Sequence, residues 1–143
     1  MPSTIAEYMS PAALTVNEST SCDEAHALMR RHRVRHLPVM RDARPVGVIS
    51  LHGIHFSLAN HHEPRRTPVC DAMEPAPIVD ASTNVAIVAR KMIEEKLGAV
   101  LVAGPGGSLG IFTTIDALYV VVRWTGGRVS RRPSHVPAEP ATH

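Results

Sequence analysis

The chain of 143 residues repeats itself, and this repeat limits the folds open to it more than any other feature. Residues 14–53 align with residues 77–116 without a gap, and a one-residue shift extends the match upstream to residues 9–11 and 73–75. The aligned identities are Val16 with Val79, Ser19 with Ser82, Thr20 with Thr83, Met29 with Met92, Val39 with Val102, and Gly47 with Gly110. A repeated unit of this kind buries its apolar face against its neighbour. We therefore expect two similar units that pack together.

Both copies predict the same order of elements. An extended segment leads into a Ser/Thr cluster that suits a helix N-terminus, and residues 21–24 have capping-box spacing. Apolar residues then recur at the i, i+3, i+4, i+7 spacing of one buried helical face. They are Cys22, Ala25 and Met29 in the first copy and Val85, Val88, Ala89 and Met92 in the second. Two short apolar strands with a Gly- or Pro-containing loop follow, and a closing helix ends each copy, which predicts an α/β (α+β) fold of two β-α-β-β-α repeats.

The repeats also set the expected domain boundaries. We assign residues 1–60 to the first repeat, 61–67 to a polar linker and 68–124 to the second repeat. Residues 125–143 are rich in Gly and Pro and poor in large apolar side chains, so this tail is predicted to be disordered.

Composition narrows the classes of function. The net charge of +2, from 15 basic and 13 acidic residues, gives no indication of nucleic-acid binding. No apolar run approaches the ~20 residues of a membrane span. The chain does not open on a signal-peptide pattern, and its two cysteines, Cys22 and Cys70, suit small buried apolar side chains. We therefore expect a cytoplasmic protein that binds neither nucleic acid nor membrane.

Two motifs give the repeats a family resemblance. Residues 35–39 read Arg-His-Leu-Pro-Val, and residues 110–116 read Gly-Ile-Phe-Thr-Thr-Ile-Asp. With the order of elements, they resemble a tandem pair of CBS domains (a Bateman module) of the small stand-alone kind. The resemblance implies two repeats packed about a pseudo-twofold axis, with two clefts between them, and a disc-like homodimer. It also implies a regulatory module that senses AMP, ADP or ATP, with S-adenosylmethionine or NAD as other candidates, and that requires no cofactor.

The second motif places polar groups where a strand ends and a helix begins. Gly110 permits close backbone approach in the strand, and Thr113 adds a hydroxyl to a helix N-terminus that favours phosphate. Asp116 is able to accept hydrogen bonds from both hydroxyls of a vicinal diol. By resemblance, Thr113, Asp116 and the adjacent Thr114 hold phosphate and ribose. Thr at the N-cap and Asp in the first turn also stabilise a helix without any ligand, so the motif leaves both interpretations open.

The first motif supplies a basic pair. By resemblance, Arg35 and His36 reach the phosphates of a ligand whose ribose is held by Thr113 and Asp116 across the pseudo-twofold axis. The alternative is a solvated strand edge beside an Arg-rich helix end.

The other contacts of the cleft follow from the same resemblance. The adenine would lie near Ile78 and Val79, although a core requires apolar residues there as well. In the first repeat, Ser50 keeps the hydroxyl but Gly53 occupies the acidic position, which predicts one competent cleft and one degenerate second cleft.

The remaining motifs carry less information. No nucleophile elbow or Walker loop occurs, so we expect no enzyme activity. The histidine pairs 32/36 and 52/55 have spacings compatible with a metal ion, but no carboxylate or Cys completes a ligand set, and no metal site is assigned. The closing helix of the second repeat is apolar on more than one face at Leu118, Val121 and Val122, which predicts a homodimer contact. A dimerisation scaffold without ligand, or a His-dependent metal binder, remains as an alternative function.

Overall fold

The computed structural model describes residues 3–60 and 63–129. The elements are β1 (Ser10–Pro11), β2 (Val16–Asn17), α1 (Cys22–His32), β3 (His36–Arg41), β4 (Arg44–Ser50), α2 (Leu51–Ala59), β5 (Ile78–Asp80), α3 (Val85–Glu95), β6 (Ala99–Ala103), β7 (Leu109–Thr113) and α4 (Thr114–Trp124). Short 3₁₀ turns lie at Ile5–Glu7, Val69–Asp71 and Pro105–Gly107. From position 130 onward, the predicted disordered tail lies outside the described residues, as do positions 61 and 62 of the predicted linker.

The strands form two sheets, each built around the hairpin of one repeat. The first has the order β2-β3-β4 and the second the order β1-β7-β6-β5. Each sheet contains an antiparallel hairpin, with His36 opposite Ser50 in the first and Ala99 opposite Thr113 in the second. In each, a short strand pairs in parallel with the first hairpin strand, and a helix connects the two. The predicted β-α-β-β-α order is therefore confirmed in both repeats.

The repeat extends to individual hydrogen bonds in the turn before α1 and α3. Asn17 Oδ1 accepts hydrogen bonds from the backbone N–H and the hydroxyl of Ser19, at 2.9 and 2.7 Å. At the equivalent place, Asp80 Oδ1 accepts the same pair from Ser82, at 2.8 and 2.6 Å. These bonds to Ser82 lower the pKa of the Asp80 carboxyl. A short polar side chain that bonds two residues ahead closes the turn and positions the helix start in both copies.

The segment that leads into each repeat packs on the other repeat. Ile5 and Tyr8 lie in the core of the second repeat, whereas Val69 lies in the core of the first. β1 pairs with β7, and Glu74 forms the corresponding antiparallel bridge with Val48. Each copy of the sequence therefore supplies its first segment to the core of the other copy, and the two repeats are interlocked.

The two aligned glycines make this exchange possible. A Cβ atom on Gly47 would lie 2.7 Å from the carbonyl oxygen of Glu74 and 2.8 Å from Met73 Sδ. On Gly110 it would lie 2.6 Å from Met9 Sδ and 3.2 Å from the carbonyl oxygen of Ser10. The close backbone approach predicted for Gly110 is confirmed, and it is the leading segment of the first repeat that approaches.

A third apolar cluster joins the two sheets. Val48 of β4 packs with Ala99, Leu101 and Ile111 of the second repeat, and Ala76 and Leu109 lie against them. This contact fixes the position of the start of β3 relative to the start of β6, and the candidate site lies there. Within residues 3–60 and 63–129, no helix has both the length and the apolar character needed to cross a membrane.

Candidate functional site

A cavity of about 580 Å³ lies between the two repeats. Its lining residues come from both: Arg35, His36, Val48, Ser50, Leu51, His52 and His55 from the first repeat, and Glu74, Pro75, Ala76, Lys96, Leu97, Gly98 and Ala99 from the segments that follow. The volume falls within the range usual for small-molecule sites. We call this cavity the inter-repeat cleft.

Part of the cleft wall is apolar. Val48, Ala76 and Ala99 line it and also belong to the cluster that joins the two sheets. A ligand that covers these side chains contacts the joint between the repeats. The cleft therefore combines an apolar surface for a flat ring with polar groups around it, which is the usual character of ligand sites.

The charged groups of the cleft come from different repeats. Arg35 precedes β3, whereas Lys96 ends α3 in a left-handed conformation with φ of 55°. Glu74 is the acidic side chain among the lining residues. Elsewhere in residues 3–60 and 63–129 ion pairs form, but these three side chains take no part in them. The two basic side chains outnumber the single carboxylate, which favours a ligand with an anionic part.

Ser50 lies at the N-terminus of α2 on the wall of the cleft. Its hydroxyl oxygen accepts a hydrogen bond from the backbone N–H of Gly53 at 2.9 Å and so caps the helix. α2 has nine residues, and the backbone N–H groups of its first turn carry partial positive charge at this end. The helix N-terminus adds to the attraction that Arg35 and Lys96 exert on an anion.

Thr113 and Asp116 form a helix cap. Asp116 Oδ2 accepts hydrogen bonds from the backbone N–H of Thr113 at 2.8 Å and from its hydroxyl at 3.2 Å, and the two residues complete a capping box. Thr113 is 2% exposed and Asp116 is 0% exposed. The capping interpretation of the motif is therefore confirmed. Asp116 has no exposed surface in this conformation, and its role as a ribose ligand stays a prediction.

The cleft brings together one part of the predicted site. Arg35 and His36 line it with Ser50, the residue assigned by sequence to a degenerate cleft, whereas Thr113 and Asp116 are not among its lining residues. Gly53 is the residue of the first repeat that is equivalent to Asp116. A Cβ atom on Gly53 would lie 3.0 Å from the carbonyl oxygen of Ala72.

The other predicted residues lie on the second repeat. The Thr114 hydroxyl donates to the carbonyl oxygen of Gly98 at 3.3 Å. Ile78 is 51% exposed on β5, and Val79 packs against the core. Gly110 lies beneath Met9 and Ser10, as described above.

Two charged residues of the cleft, Glu74 and Lys96, were missed by sequence analysis. Glu74 lies in the segment that matches residues 9–11 of the first copy, and that match was the available signal for its position. Lys96 is equivalent to Arg33, and both end a helix with a positive φ. Their place at the cleft depends on how the two repeats face each other, which the pattern of a single repeat does not contain.

The two cysteines are not activated nucleophiles. Burial, followed by the nearby carboxylate of Asp71, raises the pKa of the Cys22 thiol. Desolvation and Asp71 also raise the pKa of Cys70. Both side chains are therefore thiols near neutral pH, and the thiolate is the reactive form.

Histidines are frequent around the cleft, but they do not assemble into a metal centre. His36, His52 and His55 line it, and the ring of His55 meets that of His26 edge to face at 5.8 Å between centroids. In the part of the chain that the structure describes, no three His, Cys, Asp or Glu side chains are grouped as metal ligands.

A second surface feature is an apolar groove of about 470 Å³ between α3 and α4. Ile93, Val121 and Trp124 line it and are at least half exposed. Leu118 is 55% exposed on the same helix, and Val122 is half-buried beside Tyr8.

The fold and the cleft define a class: an α/β protein of two interlocked repeats with a partly charged cavity between them. The family model of the CBS domain matches residues 5–60 and matches again at residues 69–123. The chain therefore belongs to the CBS domain family and carries the domain twice.

Solved structures of CBS domains have the same fold. CBSX2 in complex with AMP is 27% identical, with a TM-score of 0.66 over 85% of this chain and 98% of that chain. A CBS domain pair in complex with 5′-methylthioadenosine and S-adenosyl-L-methionine is 21% identical, with a TM-score of 0.76 over 87% and 99%. The CBS domain of a bacterial CNNM/CorC family Mg²⁺ transporter in complex with ATP is 20% identical, with a TM-score of 0.72 over 88% and 89%. A search of curated protein sequences found no match to the chain.

Proposed function

We propose that this CBS domain pair is a regulatory module that senses an adenosine-containing ligand in the inter-repeat cleft. The observation that carries the proposal is that one cavity of about 580 Å³ takes its charged and polar lining from both repeats. A ligand in such a cavity bridges the repeats, so its binding energy depends on how they are packed. The complexes of related CBS domains with AMP, ATP and S-adenosyl-L-methionine support the class of ligand.

Each part of an adenine nucleotide has a complementary group in the cleft. Arg35, Lys96 and the N-terminus of α2 attract the phosphates. The Glu74 carboxylate accepts hydrogen bonds from the ribose hydroxyls, and so takes the role that Gly53 is unable to fill. The apolar wall around Val48 provides a surface for the adenine ring.

The regulatory step follows from the same placement. A ligand shifts an equilibrium between two arrangements only when it binds one of them more tightly. Arg35 belongs to the first repeat and Lys96 to the second, so a phosphate that contacts both favours the arrangement that brings them together. A partner protein that contacts both repeats would respond to this change.

Nucleotide addition should therefore raise the thermal stability of the protein. At about 100 times its dissociation constant, a ligand adds about 2.7 kcal/mol to the free energy of unfolding, which raises Tm by several degrees in a domain of this size. Differential scanning fluorimetry with AMP, ADP, ATP, S-adenosylmethionine and NAD measures the shift. Arg35→Gln should abolish it, while Arg44→Gln, which removes an exposed arginine outside the cleft, should leave it intact. A melt that none of these ligands shifts contradicts sensing and favours a dimerisation scaffold.

We also propose that the groove between α3 and α4 forms the contact of a homodimer. Leu118, Val121 and Trp124 of α4 are each more than half exposed, and exposed apolar surface on a helix often marks a protein interface. Val121→Asp places a charge in this groove and should shift the protein to the monomer in sedimentation velocity at micromolar concentration. Ile78→Asp changes an equally exposed apolar residue on β5 and should leave the sedimentation coefficient unchanged. A monomer in the unmodified protein contradicts this contact.

A further inference from the structure

A second, smaller cavity lies beside the inter-repeat cleft, at the C-terminal end of α1. Its volume is about 300 Å³, and it shares two lining residues with the cleft, Arg35 and Leu51. The rest of its wall consists of Met29, Arg30, Arg33 and Val34. We call it the arginine cavity. Since Arg35 lines both spaces, a ligand whose anionic end contacts Arg35 in the cleft lies next to the arginine cavity.

The charged residues that line the arginine cavity are all basic. Arg30, Arg33 and Arg35 line it, and its other lining residues are apolar. Within residues 3–60 and 63–129, no carboxylate forms an ion pair with any of these three guanidinium groups. Like charges gathered around one concave space repel each other, so they favour an anion there. Guanidinium groups bind two phosphate oxygens at once, which makes them suited to a chain of phosphates.

The C-terminus of α1 accounts for part of this cluster of basic side chains. Basic side chains near a helix C-terminus are stabilising whether or not a ligand binds, and Arg30, Arg31 and His32 form the last turn of α1. This effect does not distinguish Arg30 from Arg31. Only Arg30 lines the arginine cavity, together with Arg33, which ends the helix in a left-handed conformation with φ of 57°. Arg31 is therefore a matched control for the helix-end effect.

We propose that the ligand of the inter-repeat cleft carries a chain of two or more phosphates, and that this chain passes Arg35 into the arginine cavity, where Arg30 and Arg33 bind its distal end. The inference rests on the proposed function, since it assigns a ligand class to the same cleft. It separates the roles of the arginines: Arg35 contacts any phosphorylated ligand, whereas Arg30 and Arg33 act only on a longer one.

Isothermal titration calorimetry with AMP, ADP and ATP in magnesium-free buffer tests the inference. The unmodified protein should bind ATP at least about tenfold more tightly than AMP, with ADP between them, since one charge-assisted contact corresponds to about this factor. The double variant Arg30→Gln/Arg33→Gln should bind AMP within about threefold of the unmodified protein and lose the preference for ATP. Arg31→Gln should keep the preference, and Arg30→Lys/Arg33→Lys should restore part of it.

The outcomes separate this inference from the proposed function. Equal affinity for AMP and ATP in the unmodified protein, or an ATP preference that survives in the glutamine double variant, overturns the arginine cavity as a phosphate site and leaves the sensing function standing. Absence of binding for all three nucleotides overturns both. Melting curves without ligand check folding, and a Tm of the double variant close to that of Arg31→Gln shows that a change in affinity is not caused by unfolding.

Discussion

Replacing Ile5 with alanine should lower the free energy of unfolding by about 2–5 kcal/mol, a large part of the 5–15 kcal/mol that holds a typical domain folded. Ile5 is 0% exposed and packs in the core of the second repeat, far from its own place in the sequence. Its backbone N–H also donates to the carbonyl oxygen of Thr83 at 2.8 Å. Chemical denaturation followed by circular dichroism measures the loss.

The elements that lose stability in this variant test whether each repeat supplies its first segment to the core of the other repeat. Native-state hydrogen exchange in Ile5→Ala should show faster exchange in α3 and β6 than in α1 and β3, because the side chain removed belongs to the second core. Val69→Ala should produce the reverse pattern, since Val69 is 0% exposed in the core of the first repeat. Ile87→Ala, at a site 62% exposed on α3, should change stability by no more than about 0.5 kcal/mol. Loss of protection in α1 upon Ile5→Ala would contradict the exchange.

Replacing Asp116 with alanine should cost about 2–4 kcal/mol in the absence of any ligand. The change removes the acceptor for the backbone N–H and the hydroxyl of Thr113, and a buried donor without its partner costs about 1–3 kcal/mol. Urea denaturation measures the difference. Asp116→Asn keeps one carbonyl oxygen as an acceptor and should cost less than Asp116→Ala.

The same variant decides between the two interpretations of the motif. With a role as a helix cap, Asp116→Asn lowers stability but leaves the affinity for a nucleotide unchanged at a temperature well below its Tm. With a role as a ribose ligand, affinity falls at least about tenfold while stability hardly changes. Glu74→Gln is the comparison for affinity, because Glu74 lines the inter-repeat cleft and Asp116 does not.

Local features of the fold were predictable from the sequence. The spacing of Cys22, Ala25 and Met29 predicted the buried face of α1, and all three are buried. The apolar strand pairs predicted both hairpins. Such features depend on contacts between residues close in the chain, and the period of apolar residues encodes them directly. The capping of α4 by Thr113 was predictable for the same reason.

The exchange of leading segments was not predictable from the same pattern. Ile5 and Val69 have similar neighbours in the sequence, and each would suit the core of its own repeat as well as that of the other. Only the tertiary arrangement decides between them. Gly110 indicated a close backbone approach, but the pattern does not identify the atoms that approach.

The residues of the candidate site also divide into those that were predictable from the sequence and those that were not. Arg35 and His36 were recognisable from a contiguous motif. Glu74 and Lys96 were not, because they reach the inter-repeat cleft from two different segments of the chain. The pairing of Arg35 with Ser50 in that cleft, rather than with Thr113, is a consequence of the hairpin register that places His36 opposite Ser50.

The pairing of β1 with β7 has a consequence for biosynthesis. Ser10 lies opposite Ile111, so β1 leaves the ribosome long before its partner β7 has been synthesised. The core of the first repeat is completed sooner, once Val69 has left the ribosome. Closure of so long a loop is entropically costly and slows folding. Until then, Ile5 and its neighbours are apolar residues without a core, and a nascent chain stalled before β7 would expose them to chaperones and proteases.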